Sequence, residues 1–198
     1  MPTALQIVRK SSFKQIPWKN GGGVTHEAIR VPAAGETFLW RVSVAHIDAS
    51  GPFSDFAGYR RNMVLLQGRG LMLKFKGGEN CLLQKIGDSA QFEGAVSTHC
   101  ELLDGPCVDL NFMVADSLGA DARVLRLSED LFTPASPAGP ALIFSVEAPL
   151  LLEVAGFEPV RLEPWDLAVV SQGGARLSRI EPHASSKPSA VFFATINN

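Results

Sequence analysis

Short runs of leucine, β-branched and aromatic residues, each cut off by Gly, Pro, Asp or Asn within about ten positions, recur through most of this chain. FLWRVSVAHI, NMVLLQG, LMLKF, CELLDG and VDLNFMV lie in the first part, and ALIFSVEA, PLLLEVAG, PVRLEPWDLAVVSQ, ARLSRIE and AVFFATI in the last. Such runs suit a pleated strand, and their even spacing predicts an all-β antiparallel barrel or sandwich. Little else can accommodate so many interruptions.

Gly68 and Gly70, in LLQGRGLML, predict a tight turn between two paired strands, because glycine supplies the positive φ such turns need. Gly87-Asp88 and Gly94 mark two further turns. ADSLGADARVLRLSED is polar, with room for a short helical turn. LFTPASPAGPA alternates proline with small residues, a poor sequence for any regular element. Residues 115–141 therefore read as a crossover between a first domain, 1–114, and a second, 142–198. An L-x-x-x-D-L-A-V-V unit at Asp166 is comparable to the I-G-D unit at Asp88. That loose repeat favours two fused small barrels over one large sheet.

A length of 198 residues allows one sizeable core or two small ones. Hydrophobic residues make up 46% and charged residues 19%, the latter below the usual fraction of about 25%. A folded chain without a long disordered tail follows. The formal net charge of −2 carries no basic excess of the kind nucleic acid attracts. No apolar stretch nears the roughly 20 residues that cross a bilayer, and the N-terminal residues lack a signal-peptide core, so a cytoplasmic location is expected. Cys81, Cys100 and Cys107 lack close pair spacing and read as small buried hydrophobes.

PWKNGGGVTHE, FLWRVSVAHI, GPFSDFAGYRRNMVLLQGRG and LLDGPCVDLNFMV, in that order, resemble the HutD/Ves family. The motifs cover residues 17–114, and the remainder is similar in layout. The resemblance implies a bicupin, two fused cupin-type antiparallel β-barrels. It also implies a link to bacterial histidine utilisation, in which HutD-like proteins are thought to bind a pathway metabolite and restrain the pathway. By analogy, cupin edge strands pair into homodimers. GDSAQFEG is similar to the second cupin motif, with Glu93 near its expected proline.

Many cupins bind a divalent metal through His-x-His, a nearby glutamate and a later histidine. Histidines here stand at 26, 46, 99 and 183, with none closely paired. GYRRN occupies the place of His-x-His, and Arg61 would repel a cation. His99 falls near the second-motif histidine but reads as a surface or strand-end residue, and His46 as a packed one. The expectation is a protein without metal or other cofactor.

In YRRNMVLL, Tyr59, Arg61, Met63 and Leu65 share one face and Arg60, Asn62, Val64 and Leu66 the other. Both faces turn apolar beyond 62, so periodicity does not choose the inside. The family's G-Y-x-R pattern does, by falling on Arg61. Arg60, where the family commonly has aspartate, is expected to face solvent. An inward Arg61 could grip a ligand carboxylate by two parallel hydrogen bonds, or pair internally with Glu27, Asp109 or Asp55.

Ser43, with Arg41, shares one face of WRVSVA and either lines a pocket or faces away from the core. Asn111 could offer a donor and an acceptor to a ligand, or cap a backbone turn. Trp18, Thr25 and Glu27 flank the Gly21-Gly22-Gly23 run and are candidates for a barrel mouth. No Gly-Lys-Ser/Thr follows to make that run a phosphate cradle. Trp165 and Asp166 read equally as a second pocket or as a turn and its packing.

No catalytic nucleophile with a base is legible. Glu27 with Asp109 is a candidate acid–base pair, whose oxygens the sequence does not place. The reading favoured is binding of a small anionic metabolite, urocanate or formyl- or formimino-glutamate, by Arg61, Asn111, Glu27, Thr25, Ser43, Trp18 and Asp109. The alternative is a metal-independent hydrolase or isomerase.

Overall fold

Side chains that alternate along an extended backbone point to opposite faces, so each run can bury one face and offer the other. The computed structural model describes residues 5–18, 21–127, 139–171, 175–179 and 189–197. Among them all regular structure is β, apart from a 3-10 turn at Lys10–Ser12. LFTPASPA and His183 lie outside the described residues.

The chain forms two compact units, Phe13–Leu118 and Met1–Ser12 with Gly119–Asn198. Strand β1 (Leu5–Val8) belongs to the second. The first holds β2 (Lys14–Pro17), β3 (Gly23–Pro32), β4 (Phe38–Ile47), β5 (Gly51–Pro52), β6 (Tyr59–Gln67), β7 (Leu71–Phe75), β8 (Cys81–Leu83), β9 (Ser89–Glu93), β10 (Thr98–Leu102) and β11 (Cys107–Ala115). The second continues with β12 (Gly119–Leu127), β13 (Ala141–Ser145), β14 (Leu150–Val154), β15 (Val160–Leu162), β16 (Leu167–Val170), β17 (Ala175–Arg179) and β18 (Ser189–Asn197).

The first unit has a six-stranded sheet, β2-β3-β4-β11-β6-β9, and a four-stranded sheet, β5-β10-β7-β8. Met63, Leu65, Leu71, Leu73, Leu83 and Cys100, drawn from both sheets, form one buried cluster. The second unit has sheets β1-β16-β13-β18-β12 and β15-β14-β17, with Ile143, Leu152, Leu162, Leu177 and Phe193 among its buried cluster. Every strand pairing recorded is antiparallel. Cys100 and Cys107 are buried, whereas Cys81 is partly exposed.

Three features differ from the sequence-based expectation. Residues 1–12 fall in the unit of the C-terminal half, since β1 pairs with β16. Residues 119–127 are no crossover or helical turn but strand β12, paired with β18 from Gly119↔Asn197 to Leu127↔Ser189. Asp121, Arg123 and Arg126 made this segment read as polar; it is a sheet edge, where charge is tolerated and deters further pairing. Gly68 and Gly70 do adopt φ of 112° and 114°, yet they carry the chain from one sheet to the other, as β6 and β7 are not paired.

The repeat is visible in its turns. Lys85 N–H donates to Asp88 Oδ2 at 2.8 Å, and Glu163 N–H to Asp166 Oδ2 at 3.0 Å. Leu65 N–H donates to Asp88 O while Leu65 O accepts from Gly87 N–H; Ser145 N–H likewise donates to Asp166 O and Ser145 O accepts from Trp165 N–H. Trp165 thus holds the glycine position of the turn. This explains its φ of 73°, a strained value for a bulky residue. Lys10 Nζ lies 3.7 Å from the Trp165 ring centroid, a contact that offsets part of the strain. Trp165 and Asp166 are therefore a turn and its packing.

Asp166 is 3% exposed and also accepts from Lys10 N–H at 2.9 Å and Arg9 Nη1 at 2.7 Å. Asp88 is partly exposed, and its carboxylate accepts from the Gln84 and Lys85 N–H groups. Urea denaturation should find Asp166→Ala destabilising by about 3 kcal/mol and Asp88→Ala by about 1 kcal/mol. Equal costs would show that Asp166 does not tie the N-terminal segment to its turn.

Candidate functional site

The site is built on the inner face of four adjacent strands, β3, β4, β11 and β6. Register places Arg41, Met113 and Arg61 in one row across the sheet, with Met113 opposite each arginine. The next row holds Glu27, Ser43, Asn111 and Met63, and the next Thr25, Ala45, Asp109 and Leu65. At about 4.8 Å per strand the two arginine backbones stand roughly 10 Å apart. The opposite face of β4 and β11 carries Val42, Val44, Leu110 and Phe112, all buried. Ser43 therefore points to the polar interior.

A cavity of about 490 Å³ opens over this face. Arg41, Ser43, Arg61, Asp109, Asn111 and Met113 form its floor, with Thr25 beside them. Trp18 and Pro17 line one side, and Pro52, Phe53, Ser54 and Phe56 another. Backbone bonds pin that second segment: Phe53 N–H to Thr98 O at 2.9 Å, and Phe56 N–H to Gly94 O at 3.0 Å. Trp18 Nε1–H donates to Thr25 Oγ1 at 2.8 Å, which ties the indole to the cavity wall. Gly23 must be glycine, since a Cβ there would fall 2.1 Å from His46 O and 3.2 Å from the Trp18 ring.

Arg61 is 5% exposed. Its guanidinium carbon lies 5.1, 5.5 and 5.0 Å from the ring centroids of Phe53, Phe56 and Phe92. Nε and Nη2 each reach Asn111 Oδ1 at 3.4 Å, beyond the ordinary N–H···O range. Among the described residues no carboxylate oxygen comes within 4.0 Å of it. Burial lowers its pKa to about 10, against the opposing charge of Asp109, so it stays protonated.

The three rival partners separate cleanly. Asp55 is exposed and accepts from Ala57 N–H in its own loop. Glu27, outside the cavity lining, lies 4.0 Å from Arg41 Nη1. Asp109 alone acts on Arg61, at longer range. Arg60, expected to face solvent, is partly buried and donates to Leu118 O at 2.7 Å.

Asp109 is 1% exposed. Its Oδ2 accepts from Asn111 Nδ2 at 3.1 Å, while Oδ1 has no partner. Burial pushes its pKa up to about 7; Arg61 and then Asn111 pull the other way. Arg41, absent from the sequence-based site list, is the larger omission. It packs between Phe38 and Phe56, each 5.3 Å from its guanidinium carbon, and its buried Nε is unpartnered. It lies two residues before Ser43, so an inward Ser43 requires an inward Arg41. Phe53, Phe56 and Phe92 had no comparable signal.

The cavity residues do not suit a divalent cation: its floor carries Arg41 and Arg61, which no metal would accept as ligands. Among the described residues no three His, Cys, Asp or Glu side chains gather as a metal set.

Because Asp109 has a folded-state pKa above its unfolded value, the folded state binds more protons between about pH 4 and 7. Stability should therefore fall as pH rises through that window, the whole deficit being present above it. Asp109→Asn removes the charge while keeping the shape. Chemical denaturation should show its stability relative to the parent rising by about 2–3 kcal/mol from pH 5 to pH 8. A constant difference would mean that Asp109 titrates normally.

Known proteins resemble this chain to different degrees. An uncharacterized 21.2 kDa protein in the hutC 3′ region of Pseudomonas putida is 36% identical over 164 residues, 82% of this chain and 84% of its own. A conserved protein of unknown function from Pseudomonas aeruginosa PAO1 superposes with a TM-score of 0.86 at 31% identity, over 99% of this chain and 100% of that one. HutD from Pseudomonas fluorescens SBW25, in a formate condition, gives a TM-score of 0.80 at 28% identity, over 98% and 100%. A variant oxalate decarboxylase from Bacillus subtilis gives 0.66 at 7% identity, over 95% and 76%, a likeness of cupin-type fold alone. A match to the HutD family runs from residue 10 to residue 187, and the chain belongs to that family.

Proposed function

We propose that this chain is a cytoplasmic, metal-free regulatory protein of bacterial histidine utilisation that binds a small carboxylate metabolite. Urocanate and formyl- or formimino-glutamate are the candidates. The pathway is supported by HutD family membership and by the hutC-region relative. The architecture that goes with it is a bicupin, two fused barrels, supported by the paired sheets of each unit and by their shared turn.

One observation carries the binding reading. Arg61 is a buried cation on a cavity floor, its hydrogen bonds are long, and among the described residues no carboxylate oxygen lies within 4.0 Å of it. A buried charge is costly unless paired and hydrogen-bonded. A ligand carboxylate entering the cavity would complete it, through two parallel hydrogen bonds to the guanidinium fork.

Calorimetric titration with urocanate, N-formyl-L-glutamate and N-formimino-L-glutamate tests this. Arg61→Ala should weaken binding at least about 100-fold while the protein stays folded, since Asp109, left without its cation, can take up a proton. Arg61→Lys should weaken it about 10-fold or more, as an ammonium lacks the fork. Parent-like binding by either variant refutes the clamp.

A second reading, a metal-independent hydrolase or isomerase, draws support from Asp109, whose pKa of about 7 suits a general acid or base. Incubation of the purified protein with the same three acids, followed by chromatography of products, decides it. Turnover that Asp109→Asn abolishes would establish the enzyme.

A further inference from the structure

Arg61, Asn111 and Asp109 form a chain of polar contacts with one end unfinished. Arg61 donates to Asn111 Oδ1, Asn111 Nδ2 donates to Asp109 Oδ2, and Asp109 Oδ1 is buried without a partner. All three side chains line the same cavity. Resting on the binding reading above, we infer that Asp109 meets the ligand as a neutral acid, taking one proton from solvent as the anion binds and donating it in a hydrogen bond to the ligand's carboxylate.

An anion drawn to Arg61 enters a space already holding a carboxylate that is fully desolvated. Two carboxylates sharing such a site cannot both stay ionised, and one pKa rises strongly. The ligand's carboxylate gains the guanidinium, so Asp109 is the one that protonates. Its Oδ2 is held by an N–H donor, which leaves Oδ1 to carry the proton. Asp109 lines the cavity beside Arg61, so once protonated it is a donor that a ligand held there can reach.

The groups facing Asp109 all bear on this. Arg61 on β6 favours its ionised form. Arg41 on β4 lines the same cavity as a second cation, with Glu27 of β3 beside it. Cys100 on β10 interacts with Asp109, and its own thiol is pushed up to about 12, chiefly by burial, so it stays neutral. No histidine is among the residues lining the cavity. Asp109 is thus the group placed to exchange a proton as an anion arrives.

The test is calorimetric titration of N-formyl-L-glutamate, whose carboxylates stay ionised above about pH 6. Titrations at about pH 8 in HEPES and in Tris separate proton uptake from binding heat. The parent should take up close to one proton per ligand bound at pH 8. Its affinity should fall about tenfold for each pH unit above that. Asp109→Asn should show no uptake and an affinity flat with pH.

Binding by the parent with no dependence on buffer overturns the inference and leaves the binding reading standing. Equal uptake by Asp109→Asn overturns it too, by placing the proton elsewhere. Absence of binding by both proteins at every pH, with urocanate and N-formimino-L-glutamate as well, brings down the binding reading and this inference together. Should Asp109→Asn fail to fold, the parent's buffer dependence still decides.

Discussion

A guanidinium keeps its proton at any ordinary pH, so burying Arg61 dictates what must surround it. Three phenyl rings supply the wall that a weakly hydrated planar cation tolerates, and Asn111 supplies the acceptor. The acceptor role fixes the amide: with Oδ1 turned to Arg61, Nδ2 has to face Asp109. Asp109 then balances the cation at a distance, without closing on it. The charge on one strand thereby orients a side chain on its neighbour and strands a carboxylate oxygen on the same strand.

The alternation of the sheet makes this arrangement possible. On β11, Asp109, Asn111 and Met113 face the cavity, while Leu110, Phe112 and Val114 are buried on the other side. A slip of one residue would exchange the two sets and place Phe112 where Asn111 now meets Arg61. The apolar face holds the register with more buried surface than any polar contact provides. The site is precise because the packing behind it is insensitive to what the cavity contains.

That double burial also limited what the sequence could reveal. Runs such as FLWRVSVAHI and ALIFSVEA declared strands, and the Gly87-Asp88 and Trp165-Asp166 turns declared a repeat. Strand β6, buried from Arg61 to Leu66, has no period to read, and only the family pattern turned Arg61 inward. Ser43 stayed undecided for the same reason, and Arg41 was lost with it. β12 failed in the opposite sense, because an edge strand with outward charges looks like a loop. What keeps two of the rival carboxylates from Arg61 is an Asx turn at Asp55 and a cross-strand approach of Glu27 to Arg41, neither of which has a sequence signature.

The shared turn makes Leu65 and Ser145 equivalent, so Arg61 corresponds to Ala141, four residues earlier in each strand. The pairing of β13 with β18 then sets Phe193 where Asn111 stands and Val191 where Asp109 stands. Ala141, Val191 and Phe193 all belong to the buried apolar cluster of the second unit. Three positions that are an arginine, an amide and a carboxylate around a cavity in one unit are alanine, phenylalanine and valine in the other. At these positions the second unit has spent its interior on packing, which stabilises without the desolvation of charge that the first unit bears. The cost of burying Arg61 and Asp109 is therefore no requirement of the fold, and of these equivalent positions it falls only on those of the first unit.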